Sequence, residues 1–136
     1  MRVFIFGNGN LSFENFQLHY QTVLDGLTYD DDLHFVLGEF RGADILALEY
    51  LKTRSANVTL LHMRDRPRYL PDKFRTMVRN WEIVGGFKND LARDEAATER
   101  CTHFLGVDFN SDEKRVSGSQ KNINRCLGLG KIRLGG

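Results

Sequence analysis

Two cysteines and two prolines are all that the 136 residues contain of either. Cys101 and Cys126 stand far apart, with no C-x-x-C spacing and no histidine pattern beside them, so neither a disulfide scaffold nor a zinc site is expected. Two buried thiols in a reducing compartment is the simpler reading. No stretch nears the ~20 apolar residues that a membrane span requires. The apolar run in the opening Met1-Arg2-Val3-Phe4-Ile5-Phe6-Gly7 is too short for a secretory signal. A cytoplasmic protein with no membrane partner is therefore expected. Charge of one sign is lacking too: 19 Lys and Arg face 18 Asp and Glu, a net +1. No whole-chain field draws such a molecule towards nucleic acid, which becomes the less favoured partner. His19, His34, His62 and His103 are scattered without H-x-x-x-H or triad spacing, and neither a metal nor a cofactor is expected.

What is present suits one globular domain with a core of its own, since 41% of residues are apolar and 27% charged. Short apolar runs at residues 3–6, 34–37, 58–62, 103–107 and 131–134 read as five strands. Between them lie amphipathic stretches. Ser12 is placed to cap a helix in which Phe13, Phe16, Tyr20, Val23 and Leu24 recur at helical spacing. Asp44 caps or opens a second helix bearing Ile45, Leu48 and Leu51, and Asp90 caps another that runs to about Cys101. A last helix spans residues 118–129, stopped by Gly128 and Gly130. Residues 64–86 hold both prolines and the sole tryptophan, and read as a long functional loop with one short helix. Strands separated by helices predict a single Rossmann-like α/β domain. The expected sheet is five-stranded and mostly parallel, in the order 3-2-1-4-5, with helices on both faces. Ligands of such sheets bind beyond the carboxyl ends of the strands, where the order reverses.

Three loops fall at that end. Gly7-Asn8-Gly9-Asn10 follows the first strand; it is either a plain tight turn or a cradle whose backbone N–H groups approach an anion. Gly38-Glu39-Phe40-Arg41-Gly42-Ala43-Asp44 follows the second, and offers an arginine and a carboxylate between two glycines. Asp44 there either caps the helix or accepts hydrogen bonds from ligand hydroxyls, and Arg41 is either a solvated charge or an anion contact. After the fourth strand, Asp108 is followed by Ser117-Gly118-Ser119, hydroxyls flanking a glycine at a helix start.

In this order the residues resemble the SLOG superfamily, the Rossmann-like group that includes phosphoribohydrolases, the YspA-like proteins and nucleoside deoxyribosyltransferases. The resemblance runs over nearly the whole chain. It is carried by the strand-glycine start through Gly7, the Gly38-x-x-x-Gly42-Ala43-Asp44 turn, Arg93-Asp94, and Ser117-Gly118-Ser119-x-x-Asn122-Ile123. It implies a crevice for a nucleotide or nucleoside-derived small molecule, an aromatic such as Trp81 near the pocket, and self-association into a homo-oligomer. The glycosidic-bond-cleaving branches carry a glutamate where this chain has Asn122, and an amide neither attacks an anomeric carbon nor relays a proton. The Pro-Gly-Gly-x-Gly-Thr string of the phosphoribohydrolases is absent. The likeness is therefore closest to the YspA-like branch.

Three functions fit these residues. The first is a binder of a nucleotide or nucleotide-derived signal, its pocket formed by Gly7, Asn8, Gly38, Arg41, Gly42, Asp44, Trp81, Asp108, Ser117, Gly118, Ser119 and Asn122. The second is an enzyme acting on an N-glycosidic bond, with Asp44, Asp108, Glu49, Glu95 or Glu99 supplying the acid; no catalytic residue is assigned, because spacing alone places no carboxyl pair. The third is a single-stranded nucleic-acid or protein-interaction module. It would use the arginines and lysine of residues 64–79 with Tyr69, Phe74 and Trp81 interleaved.

Overall fold

The structure, a computed structural model, describes residues 1–135. Six strands form one sheet: β1 (Arg2–Gly7), β2 (His34–Leu37), β3 (Val58–Met63), β4 (Glu82–Phe87), β5 (His103–Val107) and β6 (Ile132–Arg133). Their order is β4-β3-β2-β1-β5-β6, and every neighbouring pair is parallel. The chain thus builds outward from β1 in one direction, then returns to add β5 and β6 on its other side.

The five expected strands keep their expected order, and the sixth is a correction. β4 lies inside residues 64–86, where the sequence predicts a loop; only the short 3-10 turn Met77–Asn80 matches the helix expected there. Its sequence, Glu82-Ile83-Val84-Gly85-Gly86-Phe87, hides it. As an edge strand it is largely exposed, and the register shifts between Leu61 and Met63 opposite its glycines. A Cβ on Gly85 would stand 2.2 Å from the His62 ring, and Gly86 has φ +87°. The two glycines that argue against a strand are thus what allow a bulged one.

Alternation along the strands feeds two cores. Val3, Ile5, Phe35, Leu37, Leu60 and Leu105 pack against the first helical segment and α3 (Ala43–Leu51). That first segment runs from α1 (Phe13–Phe16) through a π-helical turn, Gln17–Gln21, into α2 (Thr22–Asp25). Phe4, Phe6, Val36, Leu61 and Phe104 point the other way, onto Ala97 and Cys101 from α4 (Asp90–Arg100) and Ile123 and Cys126 from α5 (Gly118–Gly128). Helices therefore cover both faces. Tyr20 closes the seam between β1 and β5: its hydroxyl donates to the Phe6 carbonyl at 2.8 Å and accepts from the Val107 N–H at 3.0 Å. Burial raises its pKa to about 12, so the hydroxyl keeps its proton. Among the described residues no helix is long and apolar enough to cross a membrane.

Candidate functional site

The reversal in strand order lies between β1 and β5, and the loops that leave β1, β2 and β5 meet beyond it. One residue ties all three. Asn8, 4% exposed, donates from Nδ2 to Asp108 Oδ1 at 2.8 Å and to Ser119 Oγ at 3.3 Å. Its Oδ1 accepts the Phe109 N–H at 2.8 Å, and its carbonyl accepts the N–H groups of Leu11 and Ala43. Both ends of the amide are thus occupied by protein. Glycines make this closeness feasible. A Cβ on Gly42, whose φ is +77°, would come within 2.3 Å of the Asn8 carbonyl oxygen, and one on Gly7 would strike the Tyr20 hydroxyl at 2.2 Å.

The hollow between the loops is a crevice of about 460 Å³. Of the residues expected at a site, Gly7, Asn8, Arg41, Asp44, Ser117, Gly118, Ser119 and Asn122 line it. Gly38 and Gly42 lie behind its wall. The place of a Gly38 Cβ is taken by the Arg93 guanidinium, 2.7 Å away, and by Asp44 Oδ2, 3.0 Å away.

Asp108 also stands behind the wall. Burial opposes its charge, but donors from Asn8, Ser111, Ser117 and the Asn110 amide hold its carboxyl far below the usual range. It is a fixed anchor for the loop rather than a base.

Trp81 is elsewhere. It precedes β4 at the amino end of the sheet, is 6% exposed, and its indole N–H donates to the Ser55 carbonyl at 2.8 Å. The aromatic placed near the pocket by resemblance is thus a core residue, buried because its one polar atom finds a partner there.

One wall is an ionic cluster that sequence reasoning largely missed. Glu39, with a fully buried side chain, accepts from Arg93 Nη1 at 2.6 Å and from the fork of Arg68, Nε at 3.1 Å and Nη2 at 3.0 Å. Burial alone would raise its pKa; the two guanidiniums more than offset that and hold it low. Arg93, itself 4% exposed, also meets Asp90 at 2.9 Å and Asp94 at 3.2 Å. The only signal for Arg68 is the basic run, and its guanidinium, although its side chain stays 40% exposed, is tied to Glu39 and Asp90.

Asp44 completes the wall, and it does not cap the helix. Gly42 holds the N-cap position of α3, and Asp44 Oδ2 accepts the Phe40 N–H at 3.0 Å. Its other oxygen has no hydrogen-bond partner among the described residues. Burial pushes its pKa up to about 7, against the pull of Arg93 and the Phe40 amide. Burial also raises Asp94, which Asn122 Nδ2 holds at 3.1 Å while Arg125 Nη1 fixes Asn122 Oδ1 at 2.7 Å. Asn122 is thus a positioning group for a carboxyl. Glu49 is held by Tyr69 and Lys52, and Glu95 and Glu99 are exposed on α4, so none of the three joins the crevice.

The opposite wall is an anion-friendly helix start. Ser117 caps α5, accepting the Gln120 N–H at 3.0 Å, and Ser117, Gly118 and Ser119 bring the first turn of the helix to the hollow. Ser119, 7% exposed, keeps a hydroxyl proton with no acceptor among the described residues. Arg41 and Arg115 line the crevice and make no ion pair among the described residues. Among the described residues no cluster of His, Cys, Asp or Glu is arranged to hold a metal ion. Models of known families, curated proteins and solved structures were all compared with the chain, and none matches it.

Proposed function

We propose that the crevice binds a nucleotide or nucleotide-derived small molecule. Its anion would lie at the start of α5 and its hydroxyls against Asp44. One observation carries this: the two walls are of opposite character within a single hollow. The α5 amides, the Ser119 hydroxyl and Arg115 offer donors and positive charge, and Arg41 adds a further cation to the lining. Facing them, Asp44 offers a carboxyl oxygen without a protein partner, a donor when protonated and an acceptor when ionised. A phosphorylated sugar has both complements. The turns that form the hollow are those on which the chain resembles the SLOG superfamily, and membership of it, with a cytoplasmic location and a self-associating state, belongs to the same proposal.

Thermal-shift screening of nucleotides, nucleosides and nicotinamide dinucleotides tests it. A ligand present at 100 times its Kd stabilises the native state by about 2.7 kcal/mol. Gly118→Ala sharpens the test, since a Cβ there meets nothing within 4 Å. The variant should fold as the wild type does and lose the shift, because its methyl occupies the anion's place. A flat screen would overturn the proposal.

A second reading rests on Asp44 and Asp94, two carboxyls with raised pKa values on the same wall. Such groups suit acid–base work on an N-glycosidic bond. Free base released from a nucleoside monophosphate and followed by chromatography would support it, provided Asp44→Asn and Asp94→Asn each abolish the release.

A further inference from the structure

Beside the crevice lies a second hollow of about 480 Å³, formed by Glu39, Phe40, Arg41, Ile45, Arg68 and Tyr69. Phe40 and Arg41 line both, so the two hollows share one wall. The character of the second is different. Phe40, Ile45 and Tyr69 give it aromatic and aliphatic sides, and Phe40, 36% exposed, is a large apolar ring left open to solvent. Two guanidiniums stand against that ring, Arg68 at 5.3 Å and Arg41 at 5.5 Å from its centroid. Arg68 cannot swing away, because Glu39 grips it by two bonds and Asp90 by a third at 2.7 Å. Tyr69 is fixed too, its hydroxyl donating to Glu49 at 2.5 Å.

We infer that this hollow is a second subsite, for the flat heteroaromatic ring of the same ligand whose anion occupies the crevice. The inference rests on the nucleotide reading above and extends it to the ligand's other end. A held guanidinium plane and an open aromatic edge attract a π face, an attraction an alkyl chain would not share. The size falls within the ~300–1,000 Å³ of small-molecule sites. Arg41, unpaired and on the shared wall, is where a negatively charged link between ring and anion would cross.

Titration calorimetry on the full chain with adenosine 5′-monophosphate and ribose 5-phosphate tests this. The nucleotide should bind at least tenfold more tightly than the sugar phosphate, which lacks the ring. Ile45→Trp, at a half-buried position on α3, fills the hollow; it should bring the nucleotide's affinity down to that of ribose 5-phosphate and leave the latter unchanged. Phe40→Ala, which removes an exposed ring, should lower nucleotide affinity too. Equal binding of the two probes by the wild type overturns the subsite and leaves the crevice reading standing, as does an Ile45→Trp protein that binds the nucleotide undiminished. If neither probe binds, the nucleotide reading fails and the subsite falls with it.

Discussion

Asp44 decides the most at the scale of single residues. Its folded-state pKa, about 7, lies above the ordinary aspartate value, so the native protein holds a proton that the unfolded chain has released. Stability therefore falls as pH rises from about 4 to about 7 and stays low above that window, with a loss on the order of a few kcal/mol. Asp44→Asn removes the titrating group but keeps the Phe40 contact. Urea denaturation should find the variant more stable than wild type at pH 8, and closely matched at pH 4. Glu39 behaves in the opposite sense. Its carboxylate neutralises two arginines in a buried place, and Glu39→Ala should cost ~3 kcal/mol or more by the same assay, because Arg68 and Arg93 both lose it. Sequence could point to Asp44 from the Gly-Ala-Asp turn. It could not point to Glu39, which looks like any turn glutamate until Arg68, distant in the chain, folds back upon it.

Elements show why most of the fold was legible and one strand was not. Buried parallel strands carry continuous apolar runs, so β1, β2, β3 and β5 declare themselves, and Ser12 and Ser117 mark helix starts that the structure keeps. β4 lacks that signature because one edge and much of its surface face solvent, and its glycines serve a bulge. Asn89 rather than Asp90 caps α4, a shift of one position that frees Asp90 to join the ionic cluster. The turn into α3 is the element most exposed to a single change. Gly42→Ala adds a Cβ at positive φ and against the Asn8 carbonyl. It should lower stability by at least ~1–3 kcal/mol and part the loops from β1 and β2; a variant melting within a degree of wild type would contradict that packing.

At the scale of the molecule, β1 is central: it pairs on both sides and its side chains enter both cores. β4 pairs on one side only. Opening should begin at that edge, so hydrogen exchange should run faster through Glu82–Phe87 than through Arg2–Gly7 by orders of magnitude, in step with the difference in their burial. The place of the crevice follows from topology, which sequence patterning could foresee. Its ionic wall and second hollow follow from where residues 64–81 cross the sheet's end, which patterning does not encode.

The amide of Asn8 has a consequence for rates. Because protein groups already satisfy it on both sides, the three loops are locked together before anything enters. A visitor would meet a finished receptacle. Little chain entropy would be lost on association, and stopped-flow traces should follow one exponential whose rate climbs linearly with concentration, with no plateau from a rate-limiting rearrangement.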